Sequence, residues 1–202
     1  MRNSTGRREL AWAGVAGPVT FVVSWATAGG LTPGYSPLTQ PISRLAAAGA
    51  EHRPLMNLGF CVFAAAMPLY AVPLRAALPG PAWLAAVAAG VGSASIAATP
   101  LGFSDRLDAA HAVAAGSTYL ALGALPVLAS GALSRSGRRR AAQASVALGL
   151  AAGAALAASS VAEPVGLFQR AGITLVDVWI VTSAFVIIRP LRSGRRAGPW
   201  GA

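Results

Sequence analysis

Six long apolar segments constrain the fold of this 202-residue sequence more than any other feature. They cover residues 10–31, 55–74, 82–101, 109–133, 141–161 and 165–188. Each is close to the roughly 20 residues that a helix needs to cross a hydrocarbon layer about 30 Å thick. The segments lack the period-two alternation of transmembrane strands, and a helix satisfies its own backbone groups in lipid. The sequence therefore predicts an all-α polytopic membrane protein, a six-transmembrane-helix bundle forming a single membrane domain.

Composition agrees with the membrane class and narrows the range of partners. Hydrophobic residues make up 55% of the chain and charged residues 11%, which is unusual for a soluble domain. The net charge is +10, and all the basic residues are arginine. Such a charge suits nucleic acid, a membrane surface or acidic ligands. Because several transmembrane-length runs are not typical of a nucleic-acid binder, we expect membrane lipids as partners and no nucleic acid.

The arginines are distributed unevenly between the two ends of the predicted spans. With the amino terminus inside, 12 arginines lie on the cytoplasmic side and 4 on the outer side. This bias predicts that both termini are cytoplasmic, with residues 189–202 as a basic tail. The amino terminus also resembles a secretory signal with a cleavage-type sequence at Ala26-Thr27-Ala28. Retention as the first span is the favoured interpretation, because the apolar run is long and Trp12 and Trp25 are typical interfacial anchors.

Polar chemistry is concentrated on the predicted outer side. The longest connection, residues 32–54, lies there, and loops of that length are often functional or mobile. Glu51, Asp105, Asp108 and Glu163 also fall in the predicted outer loops. We therefore expect any site to be at the outer face.

Asp105, Asp108 and His111 form the densest polar cluster. On a helix they occupy positions i, i+3 and i+6 and span about 120° of one side. Two carboxylates and an imidazole could hold a divalent metal or transfer protons. The alternative is that Ser104 or Asp105 caps the fourth helix and that the acids favour its positive dipole end. A cap does not account for His111, for which a structural hydrogen bond and a functional role both remain open.

Asp177 lies inside the sixth segment, seven residues after Arg170. A charged group at the centre of a transmembrane helix costs about 2.5–3.5 kcal/mol, so such residues usually face the bundle interior. His111 and Arg170 are the expected partners. A local pair at the interface is the alternative to a polar pocket open to the outer leaflet. For that pocket the candidate binding residues are His111, Asp177, Arg170, Asp105, Asp108, Tyr35, Ser43 and Arg44.

The fifth segment carries a Gly-xxx-Gly pattern at Gly149 and Gly153. Small residues allow helices to approach closely in lipid. The pattern predicts a tightly packed central helix, and small-residue faces could also support a protein partner or a homo-oligomer. The single cysteine, Cys61, permits no internal disulfide. Neither a metal nor a cofactor is predicted.

Several short motifs resemble those of one family of bacterial and archaeal membrane proteins. They are Tyr35-Ser36-Pro37, Ile42-Ser43-Arg44-Leu45, Asn57-Leu58-Gly59-Phe60, His111 at the start of the fourth span, and Gly166-Leu167-Phe168-Gln169-Arg170. This pattern is similar to that of the family called domain of unknown function 998. Arg44 departs from it, because related sequences often carry an acidic or polar residue there. The resemblance implies six spans and a bacterial plasma-membrane location, and it implies no activity.

Three functional hypotheses remain open at the level of sequence. The leading one is a non-enzymatic protein that binds a lipid head group or a partner through the outer polar cluster. The second is an intramembrane enzyme that acts on a lipid or isoprenoid by acid–base chemistry, with Asp105, Asp108, His111 and Asp177. The third is a small proton-coupled transporter in which Asp177 and His111 relay protons.

Overall fold

The computed structural model describes the backbone of residues 2–189 and the side chains of residues 6–189. These residues form seven α-helices and one 3₁₀ turn, with no strand among them, so the predicted all-α class is confirmed. Most of the predicted basic tail lies outside the described residues. In chain order the elements are α1 (Arg2–Ala11), α2 (Ala13–Leu31), the 3₁₀ turn η1 (Ile42–Ala46), α3 (Arg53–Ala77), α4 (Ala82–Ala98), α5 (Asp105–Arg135), α6 (Arg139–Ala158) and α7 (Val165–Ile188).

From α2 to α7, each helix packs antiparallel on the next. Ser93 on α4 donates a 2.9 Å hydrogen bond to the backbone carbonyl of Phe60 on α3. Near the opposite end of the chain, Trp179 Nε1 on α7 donates a 2.9 Å hydrogen bond to Ser145 Oγ on α6. The last helix, α7, also packs on α2 and α1. The result is an up-and-down bundle in which the last helix closes onto the first.

Within the described residues, five helices are long and apolar enough to cross a membrane. They are α3, α5, α6, α7 and the segment Gly6–Leu31, which combines the end of α1 with α2. The remaining helix, α4, is also apolar but has 17 residues. It packs between α3 and α5. The chain is therefore a helical protein of the membrane class.

The two ends of the bundle differ in charge and in loop length. One end, here called the loop end, carries the connection between α2 and α3 together with the short turns before α5 and α7. The opposite end, here called the basic end, carries most of the arginines in the described part of the chain: Arg7, Arg8, Arg75, Arg135, Arg138, Arg139, Arg140 and Arg189.

Small residues bring α5 and α6 close together. A Cβ atom added at Gly149 would lie 2.7 Å from the carbonyl oxygen of Gly123, so only glycine fits this approach. The sequence motif thus packs α6 against α5 within the chain. The prediction that α6 is central is wrong, because α6 contacts mainly α5 and α7 and lies at the periphery. On its outward face, Leu150 is 63% exposed.

Candidate functional site

The loop between α2 and α3 is fastened to α7 by the side chain of Arg170. Its Nη1 atom donates to the carbonyl oxygens of Pro37 at 2.7 Å, Gln40 at 3.0 Å and Gly166 at 3.1 Å. Its Nη2 atom donates to the phenol oxygen of Tyr35. Arg170 is only 9% exposed. The guanidinium that was a candidate for binding an external anion is therefore occupied by the protein's own loop.

Aromatic rings complete the surroundings of Arg170. Its guanidinium carbon lies 4.9 Å from the ring centre of Trp25 on α2 and 5.6 Å from that of Tyr35. Burial raises the pKa of Tyr35 above its ordinary value. The neighbouring Arg170 lowers this pKa, but its effect is smaller than that of burial. Tyr35 in turn donates toward the carbonyl oxygen of Pro41 at 3.1 Å. The loop is thus folded around the cation.

Gln169, the residue before Arg170, ties η1 to the bundle. Its Oε1 atom accepts a 2.7 Å hydrogen bond from the backbone N–H of Ile42. Its Nε2 atom donates a 2.5 Å hydrogen bond to the phenol oxygen of Tyr119 on α5. The backbone N–H of Leu167 also donates to the carbonyl oxygen of Leu38 at 2.8 Å. The first turns of α7 therefore hold the loop along several residues.

His111 is buried beside this attachment, at 5% exposure. Its Nδ1 atom lies 2.6 Å from the carbonyl oxygen of Thr99, at the end of α4. Because a carbonyl oxygen only accepts, Nδ1 must carry the hydrogen, and in the neutral ring Nε2 is left as an acceptor. A structural hydrogen bond thus exists at His111, and it also orients the second ring nitrogen.

A small cavity of about 40 Å³, here called the bundle cavity, lies next to His111. That volume has room for a few water molecules. No carboxylate among residues 6–189 lines it, so Asp105, Asp108 and Asp177 do not meet His111 there. Its polar lining side chains are Ser43, Ser93, His111, Thr118, Tyr119 and Gln169.

Asp105 and Asp108 belong to the start of α5. The helix is capped by Ser104, whose hydroxyl accepts a 3.3 Å hydrogen bond from the backbone N–H of Leu107. Asp105 is exposed, while Oδ1 of Asp108 accepts a 2.8 Å hydrogen bond from the backbone N–H of Gly102. Among the described residues, no group of three or more His, Cys, Asp or Glu side chains could hold a metal ion.

A wider depression at the loop end, here called the loop-end groove, has a volume of about 670 Å³. It lies between the long loop and the turn before α5. Arg44, Glu51 and Asp108 line it, so one cation and two carboxylates share the same space. Tyr35 and Gln40 also line it. The turn η1 separates the two spaces, because Ser43 lines the bundle cavity and the next residue, Arg44, lines the groove.

Asp177 is placed apart from both spaces. It is 5% exposed, and within the described residues neither carboxylate oxygen has a hydrogen-bond partner. It lies on the same face of α7 as Arg170, two helical turns or about 10 Å further along. It lines neither the bundle cavity nor the loop-end groove. His111, Asp177 and Arg170 therefore occupy three different environments.

Two residues that the sequence did not single out are central to this end of the bundle. Helical periodicity could have identified Tyr119. Residues four, seven, eight and eleven positions after His111 lie on the same helix face as His111, and Tyr119 is the third of them. All four line the bundle cavity. Gln169 has a weaker signal, its place in the stretch Gly166-Leu167-Phe168-Gln169-Arg170. Its contact with Ile42 spans 127 residues and could not be derived from spacing.

The fold and this polar end define a helical membrane protein whose longest described loop is bound back onto its last helix. The family described as "Protein of unknown function (DUF998)" matches residues 15–186, and the chain belongs to that family. The match covers the loop, η1, His111, Gln169 and Arg170. Neither the curated proteins nor the solved structures contain a match to this chain.

Proposed function

We propose that the chain crosses the bacterial plasma membrane six times and that both termini are cytoplasmic. The alternation of six antiparallel helices supports this topology, because α4 packs between two helices of transmembrane length. The concentration of arginines at the basic end supports the orientation through the positive-inside rule. The loop end then faces the outside.

Substituted cysteines test this topology. Thr39 is exposed at the loop end and Ser136 at the basic end. Each is changed to Cys in a Cys61→Ser background and exposed to a membrane-impermeant maleimide on intact cells. We expect labelling of Thr39→Cys in intact cells and of Ser136→Cys only after permeabilisation. Labelling at Ser136→Cys in intact cells would reverse the orientation.

At the outer face, we propose that the protein binds the zwitterionic head group of a phospholipid in the loop-end groove and catalyses no reaction. The observation that carries this proposal is the presence of Arg44, Glu51 and Asp108 along one groove. A phosphate suits the guanidinium of Arg44, and an ammonium group suits the carboxylates. Asp108 has one oxygen engaged with Gly102, which leaves the other oxygen for a ligand.

Arg170 supports this function indirectly. It holds the loop that carries Arg44, through Pro37, Gln40 and Tyr35. Binding of an anion by Arg170 itself would require the guanidinium to release these groups. We therefore assign head-group contact to Arg44 and loop positioning to Arg170.

Lipid retention tests head-group binding. The detergent-solubilised chain is equilibrated with phosphatidylethanolamine and phosphatidylglycerol, and retained lipid is measured by native mass spectrometry. We expect the wild-type chain to retain the zwitterionic lipid, Arg44→Gln to lose about tenfold in affinity, and Arg106→Gln to behave as wild type. Arg106 is the matched control, because it is exposed at the same end and does not line the groove. Equal retention by the two variants would contradict the proposal.

A further inference from the structure

A second groove lies at the opposite, basic end of the bundle, between α1, α3 and α4. Its volume is about 470 Å³. This groove, here called the basic-end groove, is independent of the loop-end groove, because the two share no residue. Its lining residues are Arg7, Pro68, Ala71, Val72, Arg75, Ala76, Trp83 and Val87.

The charge of the basic-end groove is of one sign. Arg7 and Arg75 are both exposed, and no acidic side chain from the described part of the chain lines the groove. Glu9, the nearest acid in sequence, is two residues after Arg7 on α1, which places it about 200° around the helix from Arg7. Two arginines contributed by different helices can therefore act together on one anion.

Trp83 fixes the position of one of these cations. The guanidinium carbon of Arg75 lies 4.8 Å from the centre of the Trp83 ring. Such stacking orients the guanidinium and leaves its N–H groups available for hydrogen bonds. Tryptophan is also the residue most typical of the level of lipid head groups. A guanidinium held beside such a tryptophan is therefore suited to contact a lipid phosphate.

Below the arginines, the groove is apolar and continues onto the outer surface of the bundle. Val72 is 49% exposed on α3, and Val87 lies opposite on α4. Leu69 and Leu84 are further exposed apolar side chains on the same two helices. A small anion such as free phosphate would leave this apolar surface unused. An anion attached to acyl chains would cover both parts of the groove.

We propose that the basic-end groove binds an anionic phospholipid, with the phosphate between Arg7 and Arg75 and an acyl chain along Val72 and Val87. From the end of the bundle inward, the groove is lined first by arginines and then by apolar side chains. An anionic lipid has the same order, with a charged head group followed by apolar acyl chains. Basic pockets between transmembrane helices on the cytoplasmic side bind head groups of this type. The groove would hold such a lipid in the leaflet opposite to that of the loop-end groove.

The test compares lipid retention by the full-length chain and two charge variants. Delipidated protein is titrated with phosphatidylglycerol or phosphatidylcholine and followed by native mass spectrometry. The groove variant is Arg7→Gln with Arg75→Gln, and the matched control is Arg139→Gln with Arg140→Gln. The control removes the same charge from the same end, at residues outside the groove. We expect a loss of about 30-fold in phosphatidylglycerol affinity for the groove variant and of less than about twofold for the control.

A second pair of variants separates the apolar part of the groove from charge alone. Val72→Trp fills the space beneath the arginines, whereas Val178→Trp adds the same volume on an exposed face of α7. We expect Val72→Trp to weaken phosphatidylglycerol binding and Val178→Trp to leave it unchanged. Soluble glycerophosphate in excess should not displace the lipid.

Three outcomes would overturn the proposal. Equal losses in the two charge variants would show binding by diffuse positive charge. Equal binding of phosphatidylcholine by the wild-type chain would show that the anion is not recognised. Displacement by an acidic peptide together with an unaffected Val72→Trp variant would show that the groove is a protein-binding surface.

Discussion

Arg170 on α7 donates a 2.7 Å hydrogen bond to the backbone carbonyl oxygen of Pro37, 133 residues earlier in the chain. Carbonyl oxygens and a phenol, rather than a carboxylate, accept hydrogen bonds from the two terminal nitrogens of this nearly buried cation, while its Nε atom has no partner among the described residues. The guanidinium holds the loop, and the loop supplies all of its hydrogen-bond acceptors except the carbonyl oxygen of Gly166 on α7. The most buried arginine at the loop end is therefore also the residue that positions the groove residues.

Replacing Arg170 by Lys should release the loop although the charge is kept. A lysine ammonium lacks the planar fork that reaches several acceptors at once. Because hydrogen bonds to charged groups contribute about 1.5–3 kcal/mol each, we expect a loss of about 3 kcal/mol in the free energy of unfolding. Faster tryptic cleavage after Arg44 would show the loosened loop. The exposed Arg106→Lys is the control, and equal protease resistance of both variants would show that the fork is unimportant.

Gly166 should tolerate no side chain. A Cβ atom there would lie 2.5 Å from the carbonyl oxygens of both Pro37 and Gln40. Gly166→Ala must displace the loop or α7, and we expect a cost of about 1–3 kcal/mol in thermal or denaturant unfolding. Gly116→Ala is the matched control, because Gly116 is also helical and an added Cβ there would meet no atom within 4 Å from the described residues beyond its neighbours and its own helix backbone. A Gly166→Ala chain as stable as Gly116→Ala would contradict the close approach.

Helices α5 and α7 show which structural features could be predicted from the sequence and which could not. Hydrophobic length and arginine bias predict helices and their alternation, because those properties depend on local composition and on the bilayer. The Ser104 cap is likewise local. The partners of Arg170 are not local, since Pro37 lies 133 residues away and contributes a backbone oxygen, which carries no sequence signature. Spacing alone could name Arg170 and Asp177 as buried ionisable residues. It could not show that loop atoms accept hydrogen bonds from Arg170 and that neither oxygen of Asp177 has a partner among the described residues.

Asp177 differs from Arg170, because neither of its carboxylate oxygens has a hydrogen-bond partner in the described part of the chain. Burying an unpaired charge costs free energy, and an isosteric amide removes the charge while keeping the shape. We expect Asp177→Asn to leave the melting temperature unchanged or to raise it. Asp105→Asn, at an exposed position, is the reference. A marked loss of stability for Asp177→Asn alone would contradict this expectation.

Tyr35 should make the anchoring of the loop dependent on pH in the alkaline range. Burial raises the pKa of Tyr35 above its ordinary value of 10.0, with Arg170 opposing the shift in smaller measure. In the unfolded chain the phenol loses its proton near that ordinary value, while the folded protein retains it to a higher pH. The stabilisation is therefore fully present below the unfolded pKa and is lost as the pH rises through the folded pKa.

The free energy of unfolding is measured for the wild-type chain and for Tyr35→Phe from about pH 8 to about pH 11. This range extends to both sides of the ordinary tyrosine pKa. The other tyrosines, Tyr70 and Tyr119, are present in both proteins, so the difference between the two curves isolates Tyr35. We expect the wild-type curve to fall toward the Tyr35→Phe curve above the unfolded pKa, by at most about 1.4 kcal/mol per pH unit. Parallel curves over the whole range would mean that the phenol has the same pKa in the folded and unfolded chain. In that case the effects of the Arg170 contact and of the burial of the ring on the Tyr35 pKa would cancel.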